Sequence, residues 1–235
     1  MRQADSGEQS LALRPIHGAL FDELSNDQCA AIARLCVWRN YPAGSQILNR
    51  DDGGSDVYFV QSGRVRATAY SPDGRAVTYR DIPAGQAVGD FAALDGLPRS
   101  ADVVALYDVR LASLDRQHFL QLLEEHPVMM RAQLRSLTAV IRGLTDRLYD
   151  ASTLNANMRI RAWLLRAARV AGVSASGEAV LRGLPSQSEI AHRVGAQRET
   201  VSREFSRLQR AGIIRKAGNG VLSVEVATLE SALDQ

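Results

Sequence analysis

Residues 185–214 read PSQSEIAHRVGAQRETVSREFSRLQRAGII. Ser186, followed three residues later by Glu189, makes a capping box that opens a helix. That helix runs to Val194 and breaks at Gly195, whose missing Cβ permits a tight turn. A second helix starts near Ala196 and sets Val201, Phe205 and Leu208 on one face. Arg198, Glu199, Ser202, Arg203 and Gln209 fall on the opposite face. A short helix, a glycine turn and an Arg-rich helix form the helix-turn-helix plan, whose second helix enters the DNA major groove by its N-terminal residues. Arg198 and Arg203 can each offer a bidentate fork to guanine, and Glu199 can accept from cytosine N4. Behind them, Ile213–Lys216 and Val221–Val226, joined at Gly218-Asn219-Gly220, predict a hairpin wing. Arg215 and Lys216 on that wing are placed for phosphate.

The charge distribution agrees. The net charge of +2 hides a C-terminal segment, from Thr153 onward, with 12 Arg and Lys against 7 Asp and Glu, a net of +5. The preceding residues carry 16 against 19, a net of −3. A basic module behind an acidic body points to a polyanion partner. With 46% hydrophobic and 23% charged residues, the chain has the composition of a globular protein.

Several other classes lose support. The chain has no run of about 18 apolar residues, so no membrane-spanning helix is expected. Met1 to Arg14 carries Asp5 and Glu8 without an apolar stretch and reads as a tail, not an export signal, which predicts a cytoplasmic protein. Cys29 and Cys36 lie seven apart in what reads as one helix, and free buried thiols are expected. Two cysteines cannot supply the four thiolates of an iron–sulfur cluster. No histidine lies between His17 and His118, so a cupin-type enzyme with metal in a small barrel lacks its ligands. His192 sits on the first helix of the DNA-reading pair, as a phosphate or surface contact, and no nucleophile–base arrangement suggests catalysis.

Upstream, Phe21 to Cys36 shows helical spacing, with Ser25 as a plausible N-cap. From Val37 to Leu114 the pattern becomes short runs, such as Gln46–Leu48, Val57–Gln61, Val65–Tyr70, Val77–Ile82 and Val109–Leu114. Turn residues bound them, among them Pro42-Ala43-Gly44, Asp51 to Gly54, Ser62-Gly63, Pro72-Asp73-Gly74 and Pro83-Ala84-Gly85, which predicts a compact all-β barrel or sandwich. A helix follows at Asp115–Glu125, and Pro127 can open the next, at Val128 to about Ser152. There Met130, Leu134, Leu137, Ile141, Leu144 and Leu148 are spaced 4, 3, 4, 3, 4, a heptad seam. Arg131, Arg135, Arg142, Asp146 and Arg147 flank it, and so narrow a stripe suits parallel self-association. An amphipathic helix, Met158–Ala171, and a short strand, Ala179–Leu181, lead into the helix-turn-helix.

Gly195-Ala196-Gln197-Arg198-Glu199-Thr200-Val201-Ser202-Arg203, with Leu208 and Gly212-Ile213-Ile214 behind, resembles the recognition motif of the CRP/FNR family of regulators. The resemblance covers essentially residues 20–226. It implies an α+β chain with a tail at 1–14 and a jelly-roll (double-stranded β-helix) cyclic-nucleotide-binding domain at 15–126. A dimerisation helix at 127–153 and a winged helix-turn-helix at 154–235 complete it. The implied function is transcription regulation by a homodimer on a pseudo-palindrome with TGTGA-like or TGA-containing arms, with RNA polymerase as a further partner. The DNA-facing set is Ser186, Gln187, Gln197, Arg198, Glu199, Thr200, Ser202 and Arg203, with Arg215 and Lys216.

The family's ligand cassette is matched by Gly85-Gln86-Ala87-Val88-Gly89-Asp90-Phe91-Ala92-Ala93-Leu94 and Pro98-Arg99-Ser100-Ala101. Gly89 lets backbone approach a ligand closely, and a short helix from Asp90 aims N–H groups at an anion. Arg99 can pair a phosphate through two parallel hydrogen bonds, Ser100 adds a hydroxyl, and Asp90 would accept from a ribose 2′-hydroxyl. Cyclic-nucleotide-binding members usually carry Glu where Asp90 stands. The family's base-contact positions fall on Leu144 and Thr145, and Thr145 suits cyclic AMP first and cyclic GMP second. A sensor of another small molecule, of a gas or of redox state on the same fold is the alternative.

Overall fold

The computed structural model describes residues 16–70, 76–218 and 220–233, so the expected tail at 1–14, the Pro72-Asp73-Gly74 turn and Asn219 lie outside the described residues. The chain forms two compact units that part within one long helix, between Thr138 and Ala139.

In the first unit, α1 (Asn26–Leu35) precedes eight strands. These are β1 (Val37–Tyr41), β2 (Gln46–Leu48), β3 (Val57–Ser62), β4 (Arg64–Tyr70), β5 (Ala76–Pro83), β6 (Ala87–Val88), β7 (Asp102–Ala105) and β8 (Val109–Leu114). A short helix, α2 (Asp90–Asp95), lies between β6 and β7; α3 (Arg116–Glu125) and the start of α4 (Pro127–Thr153) follow. The strands make two four-stranded antiparallel sheets, ordered β1-β8-β3-β6 and β2-β7-β4-β5. The jelly-roll reading holds.

In the first sheet β3 is covered on both faces, which is why Val57–Val60 reads as an apolar run without polar alternation. In β3, Val57 and Phe59 join the cluster shared with α1, α3 and α4, while Val60 joins the cluster inside the roll, with Tyr58 packed against it. In β8, Ala112 and Leu114 take the helix side, and Val109 and Leu111 the interior. The two-residue period of a strand produces this sorting. Phe59 links the layers, its ring 5.0 Å from Phe21 and 6.3 Å from Phe119. Met129 and Ala132 bury the first turns of α4 against the same cluster.

The second unit contains the rest of α4, then α5 (Ala156–Ala171), β9 (Glu178–Leu181), α6 (Gln187–Val194), α7 (Arg198–Arg210), β10 (Ile214–Lys216), β11 (Leu222–Glu225) and α8 (Val226–Ser231). Ile160, Leu164, Ile190, Val201, Phe205 and Leu208 share one core with Ile214, Leu222 and Val224 of the antiparallel sheet β10-β11-β9. The expected caps form. The Ser25 hydroxyl accepts from the Gln28 N–H, and Ser186 and Glu189 complete the capping box of α6. Asp115 and Asn155 cap α3 and α5 in the same way.

One expectation is corrected. Cys29 and Cys36 do not share a helix, because α1 ends at Leu35 and Cys36 is its extended C-cap leading into β1. Both thiols are free and buried. Burial pushes the Cys36 thiol up to about 12 and raises Cys29 as well. Thiolate is the reactive form, so native protein at pH 8 is expected to leave both cysteines unmodified by an aromatic disulfide reagent over minutes. Both should react at once in denaturant; rapid labelling of the native fold would contradict the burial.

Candidate ligand cradle and nucleic-acid interface

The cradle lies in the first unit, where α2 interrupts the strands. Gly89 is the N-cap of α2 at φ +84°, a left-handed conformation that favours glycine. A Cβ there would stand 2.5 Å from Arg99 Nη1 and 2.8 Å from the Asp56 carbonyl oxygen. Arg99 fills the space that the glycine leaves. It is only 4% exposed, and its Nη1 and Nη2 donate to the Gly89 and Asp56 carbonyls, each at 2.8 Å.

The Arg99 backbone is clamped too: its N–H donates to Asp52, and its carbonyl accepts from Asp51, both at 2.9 Å. Two of the five guanidinium donors are thus engaged, so the planar group is oriented in advance and three N–H remain for an anion. Burial lowers the Arg99 pKa, opposed by Tyr58, Asp56, Asp52 and Asp90. Around it, Ser100 is exposed, Val88, Ala92 and Ala101 are buried, and Gly89 and Phe91 are half-buried.

Asp90 is placed differently from expectation. It is buried, and its Oδ2 accepts from Gln133 Nε2 of α4 at 2.7 Å. Burial raises its pKa, opposed by Gln133, by Arg80 and by the N–H groups of Asp90 and Phe91. Sequence reading missed Asp56, Tyr58, Arg80 and Gln133 around the cassette. They come from β3 and the loop before it, from β5 and from α4, and only folding brings them together.

The candidate reading face belongs to the second unit. Arg198, Glu199 and Arg203 are exposed on α7 and Gln197 just before it; Thr200 and Ser202 are half-buried, Ser186 exposed and Gln187 half-buried. Gln197 precedes α7 as its N-cap, two residues into the expected helix. Gly195 takes φ +63° at the end of α6. Arg159 holds the turn, donating to the carbonyls of Leu154 (2.9 Å), Val194 (2.8 Å) and Gly195 (2.9 Å). It thereby satisfies carbonyls that a helix end leaves without partners. On the wing, Lys216 and Arg215 are both exposed, and Arg215 is engaged by Glu178 of β9 through Nη2 alone. The inner side of α7 is fixed by a buried ion pair: Glu204 Oε1 accepts from Arg161 Nε of α5 at 2.6 Å.

The stripe on α4 is largely open. Leu134, Ile141 and Leu148 are 56%, 62% and 69% exposed; Met130 and Leu144 are exposed and Leu137 half-buried. Thr145 Oγ donates to the Ile141 carbonyl at 3.0 Å.

Residues 38–126 match the cyclic nucleotide-binding domain family, and residues 158–232 the Crp-like helix-turn-helix domain family. The chain is 30% identical over 215 residues to the cyclic AMP receptor protein of Thermus thermophilus, covering 89% of this chain and 94% of that one. It belongs to the CRP/FNR family of transcription regulators. A second relative, the CRP-like cAMP-activated global transcriptional regulator of Mycobacterium tuberculosis, is 26% identical over 203 residues, 86% of this chain and 91% of that one. Among solved structures, a CooA mutant from Carboxydothermus hydrogenoformans superposes with TM-score 0.77 at 20% identity, covering 86% and 90% of the two chains, a likeness of fold.

No group of His, Cys, Asp or Glu among the described residues is arranged to hold a metal, and no described helix is long and apolar enough to cross a membrane. In this CRP/FNR regulator the reading helix depends on Arg161 for its seat. Arg161→Met leaves the buried Glu204 with Arg207, 3.8 Å away, in place of its 2.6 Å partner, and removing one member of a buried pair costs about 3–5 kcal/mol. Thermal denaturation should show a large fall in midpoint, and an unchanged midpoint would show that Glu204 finds another partner.

Proposed function

We propose that this regulator is a homodimer that binds cyclic AMP, or less well cyclic GMP, and in response reads a pseudo-palindrome with TGTGA-like or TGA-containing arms. The observation that carries the reading is Arg99, braced on two carbonyls with further N–H donors left for a phosphate. Gly89 gives the backbone room beside it, and the exposed Ser100 adds a hydroxyl. A cyclic phosphate is a compact monoanion that such a fork can engage bidentately.

The segments divide the work as tail (1–14), ligand-binding roll (15–126), dimerisation helix (127–153) and DNA-reading domain (154–235). Self-association through Met130, Leu134, Leu137, Ile141, Leu144 and Leu148 would cover an apolar stripe otherwise open to water. Burying a Leu-sized side chain contributes roughly 1.5–3 kcal/mol, enough over six positions per helix to offset the cost of association. Two copies of Arg198, Glu199, Ser202 and Arg203, held about 34–36 Å apart, would read the two arms.

Leu144 and Thr145 would meet the base. With its proton given to Ile141, the Thr145 oxygen offers lone pairs, which suit the adenine amino group better than guanine O6. RNA polymerase is the expected partner at the promoter, and the cytoplasm the place of action.

Parallel calorimetric titration with cyclic AMP and cyclic GMP should give tighter binding of cyclic AMP. Arg99→Ala should abolish binding of both and leave the dimer intact in sedimentation; undiminished binding would remove the cradle from the mechanism. Glu199→Ala should relax preference at one position of each arm, by roughly 1–3 kcal/mol in competition with variant duplexes. An equal loss on all duplexes would make Glu199 a scaffold residue.

A further inference from the structure

The Asp90 carboxylate and the Gln133 amide form a buried polar contact between the ligand cassette and α4. Asp90 is 4% exposed and Gln133 1% exposed, and the bond between them spans 2.7 Å. Gln133 Oε1, the other end of the amide, is buried without a hydrogen-bond partner. A buried acceptor left unsatisfied is destabilising, whereas a Met of similar size would fill the same space without that cost. The amide's one return is its bond to Asp90.

Asp90 also starts α2 directly after Gly89, whose carbonyl receives Arg99. A displacement of Arg99 or Gly89 is therefore passed to Asp90 through a single peptide unit. The carboxylate that the family pattern turns toward the ribose is here taken up by α4, with Arg80 adding a favourable charge.

Building on the cyclic-nucleotide reading, we infer that Gln133 is a positioning residue that carries ligand occupancy from the cassette into α4. It does so by holding the Asp90 carboxylate away from the ribose 2′-hydroxyl. Ligand and helix are then linked by one hydrogen bond in a dry setting, where two discrete arrangements are favoured over gradual deformation. The ribose hydroxyl contributes little to affinity.

Two measurements on the full-length protein test this. The first compares cyclic AMP with 2′-deoxy cyclic AMP by calorimetry on wild type; affinities within roughly threefold are expected, since a contact worth 1.4 kcal/mol would give tenfold. A deoxy analogue weaker by about tenfold or more would mean that Asp90 reads the ribose, and would overturn the inference.

The second measures the gain in DNA affinity that cyclic AMP produces, in wild type and in Gln133→Met. The variant is expected to keep the dimer and bind cyclic AMP within roughly threefold, but to lose most of the gain, against a typical coupling of about 5–150-fold. The exchanged pair, Asp90→Asn with Gln133→Glu, keeps one donor facing one acceptor and should restore the gain. A Gln133→Met protein that binds and responds like wild type would overturn the inference and leave the cyclic-nucleotide reading standing. Failure of wild type to bind either cyclic nucleotide would defeat both. If Gln133→Met does not fold, the deoxy comparison still decides.

Discussion

The guanidinium of Arg99 needs partners wherever it is buried, and that requirement organises much of the first unit. A cation inside a protein is tolerated only when its donors are met. Here two of them are met by backbone carbonyls from places far apart in sequence, Asp56 at the entry of β3 and Gly89 at the start of α2. The backbone of Arg99 is paired in turn with Asp51 and Asp52. One side chain thus ties the loop before β3, the turn before α2 and the loop before β7. Gly89 follows from this, since a Cβ there would press to 2.5 Å from Nη1 and 2.8 Å from the Asp56 carbonyl oxygen. What would otherwise be a costly buried charge becomes a rigid fork with donors to spare.

A comparable arrangement supports the reading face. Arg159 draws two carbonyls at the helix turn and the Leu154 carbonyl after α4 onto one guanidinium, and Arg161 fixes α7 from within through Glu204. Both arginines sit on α5, two residues apart, so that helix sets the end of α6 and the seat of α7 together. Arg198, Glu199 and Arg203 are exposed on α7 and take no part in that buried pair. Arg215 on the wing is engaged by Glu178 before any DNA arrives.

The long helix joins these two economies of charge to one of apolar area. Its first turns are buried by Met129 and Ala132, and most of its later apolar residues are open to water. Its apolar content exceeds what the described residues of one chain cover. Gln133 sits among the buried first turns as a polar residue in a largely apolar setting, with one end of its amide satisfied and the other not.

Local patterns were legible along the chain because each rests on near neighbours. The capping box at Ser186 and Glu189, the break at Gly195, the heptad spacing from Met130 to Leu148 and the glycine-bounded strands all depend on residues within a few positions of one another. The α1 boundary was missed because Cys36 continues the apolar spacing of a helix, while the chain is already extended toward its pairing of Val37 with Ser113. Arg99 could be named from the Pro98-Arg99-Ser100-Ala101 motif, but not the carbonyls that receive it. The burial of Asp90 under Gln133, 43 residues away, left no local trace. The sequence by itself determined most helices and turns and the charge balance, since those follow from composition, short-range sterics and periodicity. Tertiary structure alone decided which buried polar groups meet, because a buried charge or amide is answered by whatever the fold brings within about 3 Å, however distant in the chain.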